Sequence, residues 1–130
     1  MQQYRTRPCA SGRAKTGCPW RTDTDLGDFT DADFAKLART NATPGDEAPL
    51  GTPVMSCHQD QPDTPHPMRL CAGWLAVAGR DHLGIRMRIL AGLLPPSVVE
   101  PGPGWPALYD SLGAMQARRP VHQRRAPGAD

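Results

Sequence analysis

The sequence is poor in aromatic residues, in lysine and in long apolar runs. Aromatic residues make up 5% of its 130 residues, and Lys15 and Lys36 are its only lysines. The most apolar stretch, Ile89 to Leu94, is far too short to cross a bilayer. Residues 1–8 lack the apolar segment of a secretory signal. We therefore expect a cytoplasmic protein with no membrane partner.

Sequence motifs of the common enzyme classes are also missing. The chain has no glycine-rich phosphate loop, no nucleophile elbow and no His-Glu-x-x-His. These absences leave an enzymatic role open but make a non-enzyme the better interpretation. The net charge of +2 is too small to indicate a nucleic-acid partner. The one basic cluster is C-terminal, so any nucleic-acid binding should be weak and independent of base sequence; it comprises Arg118, Arg119, Arg124 and Arg125.

Proline and glycine, by contrast, are abundant, with 15 and 13 residues respectively. Both residue types interrupt regular structure, so the chain should be mainly α-helical with long irregular loops and three to four short helices. A chain of this length forms one domain with a small core, which a metal crosslink would stabilise disproportionately. We assign residues 1–8 to a flexible N-terminus, 9–117 to a single cysteine-rich, metal-stapled domain and 118–130 to a disordered Arg-rich tail.

Apolar periodicity predicts four helical segments and no convincing strand. The first follows Thr30, which forms a capping box with Asp33, and should end near Asn41. The others span 71–78, stopped by Gly79, then 82–94 and 105–115. Residues 53–56 should form a short extended piece, and the histidines at 66, 82 and 122 should lie on the surface. The expected core comprises Phe29, Phe34, Leu37, Trp74, Leu75, Ile85, Ile89, Leu90, Leu93, Trp105, Leu108, Leu112 and Met115.

Four cysteines are the chemically informative residues, and they are Cys9, Cys18, Cys57 and Cys71. In a cytoplasmic protein, thiols stay reduced and more often bind metal than form disulfides. Four thiolates complete either a tetrahedral zinc site or a cubane iron–sulfur cluster. Independent buried cysteines and disulfides are the alternatives, and one shared metal centre is favoured over both. Cys71 should open a helix, whose positive end favours a thiolate.

Residues beside the cysteines have the chemistry of a supporting shell. Trp20 and Trp74 follow two of the cysteines closely enough to shield a metal from water. Arg21, Arg69 or His58 could offset the net negative charge of four thiolates on a metal. His58 is adjacent to a cysteine, and adjacent side chains diverge, so it should support the site without ligating the metal.

Taken in order, the motifs around the cysteines resemble those of an uncharacterised family. They are Pro-Cys and Cys-Pro-Trp-Arg (8–9, 18–21), Met-x-Cys-His (55–58), Cys-Ala-Gly-Trp-Leu (71–75) and Gly-Pro-Gly-Trp-Pro-Ala-Leu (102–108). The family is a domain of unknown function in small proteins of actinobacteria and their phages, and the resemblance covers about residues 7–116. It implies that all four cysteines are ligands, and it implies no activity.

This chain departs from the family pattern at one ligand. Family members usually have Cys-x-x-Cys-Pro-Trp-Arg, whereas six extra residues separate Cys9 from Cys18 here. Either the longer loop bulges and both thiols reach the metal, or Cys9 no longer ligates. In the second case an open position would make a small zinc enzyme conceivable.

The sequence favours zinc over a 4Fe–4S cluster. Charge does not separate the two, because each has a net charge of about −2 with four thiolates. Cys-Pro with a nearby tryptophan is typical of cluster proteins, but the family's Cys-x-x-Cys with a distant second pair is typical of structural zinc. We therefore expect a structural zinc module that acts as an interaction or accessory protein with an unidentified protein partner. An iron–sulfur redox or regulatory protein is the alternative, and a small zinc enzyme the second alternative.

Overall fold

The computed structural model describes residues 4–8, 18–56 and 69–119, and it forms one small domain with a mainly helical core. In these described ranges, four α-helices, α1 to α4, are connected by turns, isolated bridges and three 3₁₀ turns at Leu26–Asp28, Gly79–Asp81 and Pro96–Val99. The helices are α1 (Asp31–Arg39), α2 (Ala72–Ala78), α3 (Leu83–Leu90) and α4 (Leu112–Ala117). Within these residues no β-strand forms, and no helix is both long and apolar enough to cross a membrane. The prediction of a mainly α fold with short helices is confirmed.

Helix α1 forms where its capping signals predicted. The Thr30 hydroxyl accepts from the Asp33 N–H at 3.2 Å, and the Asp33 carboxylate accepts from the Thr30 N–H at 2.8 Å. The rings of Phe29 and Phe34 meet edge to face, 6.3 Å apart, as a hydrophobic staple. Their contact sets the direction in which the chain enters the helix and buries one face of α1.

Helix α3 is shorter than predicted, and its end explains two errors in the expected core. Gly92 has a φ of 77°, its N–H donates to the Ile89 carbonyl, and the Leu93 N–H donates to the Arg88 carbonyl. This is a Schellman motif, which ends a helix and turns the chain away. Leu90 and Leu93 were predicted to be buried, but they are 80% and 52% exposed.

The segment before α4 is extended, not helical. The Tyr109 N–H donates to the Trp20 carbonyl at 2.9 Å, and Leu108 bridges Arg21 in an antiparallel pair. Because these backbone groups bond to a distant turn, they cannot form helical i to i−4 bonds. The helix begins only after Ser111, whose hydroxyl accepts from a first-turn N–H of α4. The prediction of a helix from residue 105 is therefore wrong in its first half.

His82 is fully buried, which corrects its predicted surface position. Its Nδ1 accepts from the Ile85 N–H at 3.3 Å and thereby caps α3, while its Nε2 lies 3.1 Å from the Pro53 carbonyl. The first bond requires a bare Nδ1, so the second is a donation from Nε2–H. His82 therefore ties the extended piece at 53–56 to the start of α3.

Most of the expected core is buried, although the list omitted several members. Eight expected side chains are buried: Phe29, Phe34, Leu37, Trp74, Leu75, Ile85, Leu112 and Met115. Ile89 and Leu108 are half-buried against this core, and Trp105 is half-buried as well. Buried residues outside the expectation include Trp20, Leu26, Leu70, Leu94, Val98, Val99 and Tyr109. The core thus also includes the turn after Cys18 and the 3₁₀ turn before Glu100.

The last described residue, Arg119, packs against the start of α1. Arg119, assigned to the tail from the sequence, forms an ion pair with Asp31. Its guanidinium also lies over the Phe34 ring, 4.0 Å from the centroid. A charge stacked on an aromatic face and paired with a carboxylate is held in place. Arg119 therefore joins the end of α4 to the start of α1.

Candidate metal centre

Two of the four cysteines meet inside the domain. The Sγ atoms of Cys18 and Cys71 lie 3.9 Å apart, although 53 positions separate the residues in sequence. Both residues are buried, with 0% and 2% of their surface exposed. The two sulfurs are not joined by a disulfide in this structure, because a disulfide would place them about 2.05 Å apart. The structure therefore places two thiol side chains from distant segments at one buried point.

A tight turn presents Cys18. The Arg21 N–H donates to the Cys18 carbonyl at 3.1 Å, which closes a β-turn with Pro19 at its second position. Proline is favoured there because its fixed φ matches the turn. The Thr24 hydroxyl donates to the same carbonyl, so the backbone that carries Cys18 is held from two sides. This turn is itself fixed to the chain around Leu108.

Cys71 lies at a junction of three chain segments. Its N–H donates to the Met55 carbonyl at 3.0 Å, and its own carbonyl accepts the first hydrogen bond of α2. The preceding residue, Leu70, bridges Ser56 on one side and Tyr4 on the other. The N-terminal segment, the extended piece at 53–56 and the start of α2 therefore converge here.

Gly73 allows α2 to approach the Cys18 turn. A Cβ built on Gly73 would lie 2.9 Å from the Trp20 Cβ and 3.0 Å from the Cys18 Sγ. Any larger side chain would therefore push the first turn of α2 away from the cysteine pair. The third residue of Cys-Ala-Gly-Trp, Gly73, thus contributes to the site through its lack of a side chain.

The predicted supporting residues have different surroundings. Trp20 is fully buried beside the cysteine pair, and its indole N–H has no acceptor among the described residues. Arg21 binds both carboxylate oxygens of Asp23 at 2.8 Å, and this hydrogen bonding lowers the pKa of Asp23. Trp74 donates to the Thr40 carbonyl at 3.0 Å and packs against His82, so its contacts are those of a core residue.

Part of the predicted site lies outside the described residues, namely Cys9, Cys57 and His58. In the described part of the chain, no group of three or more metal-ligating side chains converges. Cys18 and Cys71 are therefore the predicted ligands whose separation is known.

Sequence reasoning missed the backbone partners of the site. Met55 and Leu70 hold Cys71 through hydrogen bonds, and Gly73 holds α2 close to Cys18. A glycine two residues after a cysteine inside a predicted helix is a usable signal, because glycine weakens helices unless close packing requires it. The hydrogen-bonding partners have no comparable local signal.

The pairing of two sequence motifs also emerges from the structure. The chain around Tyr109, which follows the Gly-Trp-Pro-Ala-Leu motif, binds the backbone of the Cys-Pro-Trp-Arg turn.

The comparisons with known proteins agree with a family defined over the whole domain. No curated protein and no solved structure matches the chain. One family model matches residues 4–127, nearly the full sequence, and the chain therefore belongs to the family described as "Family of unknown function (DUF6283)".

Proposed function

We propose that this protein is a small structural zinc module in which Cys9, Cys18, Cys57 and Cys71 hold one Zn²⁺. The observation that supports this most is the 3.9 Å separation of the Cys18 and Cys71 sulfurs. Zn–S bonds of about 2.3 Å in a tetrahedron place ligand sulfurs roughly 3.8 Å apart. Around a cubane cluster, cysteine sulfurs would lie roughly 6–7 Å apart. The measured distance therefore fits zinc better than a 4Fe–4S cluster.

Chain connectivity supports the assignment of the other two ligands. Cys57 directly follows Ser56, which bridges the residue before Cys71. Cys9 directly follows Pro8, at the end of a segment whose Arg5 N–H donates to the Leu70 carbonyl at 3.0 Å. Each remaining cysteine thus continues a segment that is hydrogen-bonded at the Leu70–Cys71 junction. Four thiolates would fill a zinc coordination shell and leave no position for a substrate, so we propose a structural role.

Metal analysis of the purified protein tests the proposal. We expect about one zinc per chain and no visible colour, because zinc with four thiolates has no visible absorption. Four thiolates around a single iron would have similar sulfur spacing, so the metal content, not the geometry, separates zinc from iron. Iron with acid-labile sulfide and absorption near 400 nm after anaerobic purification would instead establish the cluster protein.

Thermal unfolding with a chelator tests whether the metal supports the fold. Structural zinc contributes folding free energy directly, so its removal should lower the melting temperature markedly. Cys18→Ser and Cys71→Ser should reproduce the loss without chelator, whereas an exposed control, Ser97→Ala, should behave as wild type. An unchanged melting temperature in the chelated wild-type protein would contradict a structural role.

An exposed apolar face on α3 supports the role as an interaction module. Met87 and Leu90 are 47% and 80% exposed, and Leu93 follows at the end of the helix. Arg86 is exposed on the same helix, and α3 has no acidic residue. Contact between two copies through this face would bring like charges together, so we propose a different protein partner that is apolar and acidic. Sedimentation should find a monomer, whereas a dimer that dissociates on Leu90→Lys would contradict this.

A further inference from the structure

The buried cysteine pair has a geometry suited to oxidation as well as to metal binding. The Sγ atoms of Cys18 and Cys71 lie 3.9 Å apart, and either can donate to the other. A thiolate and an oxidised sulfur at this distance need no large movement of the chain to react. Most cysteines that belong to distant segments lack such a neighbour.

We infer that Cys18 and Cys71 form a redox modification site, at which a peroxide that penetrates to this buried pair converts the two thiols to a disulfide. The release of metal that accompanies this reaction rests on the proposed zinc function. Formation of the disulfide does not, because it needs only the approach of the two sulfurs that the structure shows.

The reaction balances with a peroxide as the oxidant. One thiolate attacks hydrogen peroxide, the O–O bond breaks, and sulfenic acid and hydroxide form. The second sulfur then attacks the sulfenic sulfur, and the hydroxyl leaves as water after taking up a proton. Two thiols lose two electrons in total, and one peroxide is reduced to two waters.

The surrounding backbone keeps the two sulfurs in reach of each other. Disulfide formation must shorten the sulfur–sulfur distance from 3.9 Å by about 1.9 Å. The carbonyl of Cys18 accepts two hydrogen bonds, and the N–H of Cys71 donates to Met55. Gly73 allows the first turn of α2 to lie against the Cys18 turn, because any Cβ there would meet the Cys18 Sγ at 3.0 Å.

Oxidation would exchange one crosslink for another at the same junction. A disulfide removes two thiolates from a four-thiolate site, and two remaining ligands do not hold zinc tightly. The metal is released, but the Cys18 turn stays covalently joined to the start of α2. The site would thus lose its metal without separating the segments that it joins.

Peptide mapping of the full-length wild-type protein tests this directly. Trypsin places Cys18 in the peptide Thr16–Arg21 and Cys71 in Leu70–Arg80, and the other two cysteines fall in separate peptides. We would treat the protein with hydrogen peroxide, alkylate the remaining thiols and identify disulfide-linked peptides by mass spectrometry. A metal-sensitive dye would record zinc release in the same sample, and dithiothreitol would test reversal.

We expect the disulfide-linked peptides Thr16–Arg21 and Leu70–Arg80 to be the main cross-linked product. Disulfide formation removes two hydrogens, so the metal-free oxidised chain should be about 2 Da lighter than the metal-free reduced chain. Dithiothreitol should reverse the change. Cys9→Ser and Cys57→Ser should still form this link. A dominant disulfide to another peptide, sulfinic acid at either position, or full alkylation of both cysteines after peroxide treatment would overturn the inference. If the purified protein contains no zinc, the zinc proposal fails, but the same map still decides whether the disulfide forms.

Discussion

Replacing Gly73 with alanine sets two effects of opposite sign against each other. Alanine is the better helix former, by about 1 kcal/mol in a helix interior, so propensity alone predicts a more stable α2. The new Cβ, however, would lie 2.9 Å from the Trp20 Cβ and 3.0 Å from the Cys18 Sγ. Carbon atoms in contact prefer about 3.5–4.0 Å, so the two segments must separate by roughly 0.6 Å.

The steric effect should prevail, because neither neighbour can move freely. The Trp20 Cβ is attached directly to a turn whose carbonyl accepts from the Tyr109 N–H. Overpacking of this kind costs about 1–3 kcal/mol, so the net effect of Gly73→Ala should be a loss of about 1–2 kcal/mol. The same shift changes the position of the Cys18 sulfur relative to Cys71. If the proposed zinc site is present, its affinity for zinc should also fall about tenfold, which corresponds to about 1.4 kcal/mol.

Urea denaturation and chelator competition measure these two effects. Gly113→Ala in α4 is the matched control, since its Cβ would meet only the Ser111 hydroxyl oxygen at 3.7 Å. The control should be neutral or more stable by up to about 1 kcal/mol. If Gly73→Ala were as stable as Gly113→Ala, the close approach of α2 to the cysteine turn would be wrong.

Three further substitutions or conditions test other parts of the fold. Leu75→Ala should lower the free energy of unfolding by about 2–5 kcal/mol, because Leu75 is fully buried. Leu90→Ala should change it by less than about 0.5 kcal/mol, because Leu90 is 80% exposed. Equal losses in urea denaturation would contradict the end assigned to α3. His82→Phe keeps a ring but leaves the Pro53 carbonyl and a helix N–H without a bond, so we expect a loss of about 1–3 kcal/mol, and a stable variant would contradict the cap. Burial raises the pKa of Tyr109, so the folded state favours the neutral phenol. The stability from this group is therefore complete below pH about 10 and is lost as the pH rises further. Tyr109→Phe should reduce that alkaline loss of stability, which pH-dependent denaturation measures.

Local signals accounted for the elements that were predicted correctly. The start of α1 could be predicted because its cap and staple involve residues within five positions, from Phe29 to Phe34. The start of α2 after Cys71 and the end at Gly79 were likewise predicted, and the structure has them there. The end of α3 had a local signal as well, in Gly92, but the row of apolar residues that continues past it outweighed that glycine.

Long-range contacts explain what the sequence could not predict. Residues 105–110 have helical spacing, but their backbone bonds to the Cys18 turn, and no local pattern reveals a partner more than 80 positions away. The buried state of His82 depends in the same way on the Pro53 carbonyl. For the site, residue type alone indicated the cysteines, whereas the hydrogen bonds around Leu70 depend on the assembled fold.

The position of the cysteines in this topology is the strongest argument for a structural role. Helices of six to nine residues are too short to be stable alone, so they must be stabilised by tertiary contacts. Bringing Cys18 to Cys71 closes a long loop, which costs conformational entropy that a small core must offset. A metal at this point would join the Cys18 turn to α2, and through Leu70 it would also fix the N-terminal segment and the extended piece at 53–56. The two cysteines thus belong to segments that local structure does not hold together, which is where a crosslink stabilises a small domain most.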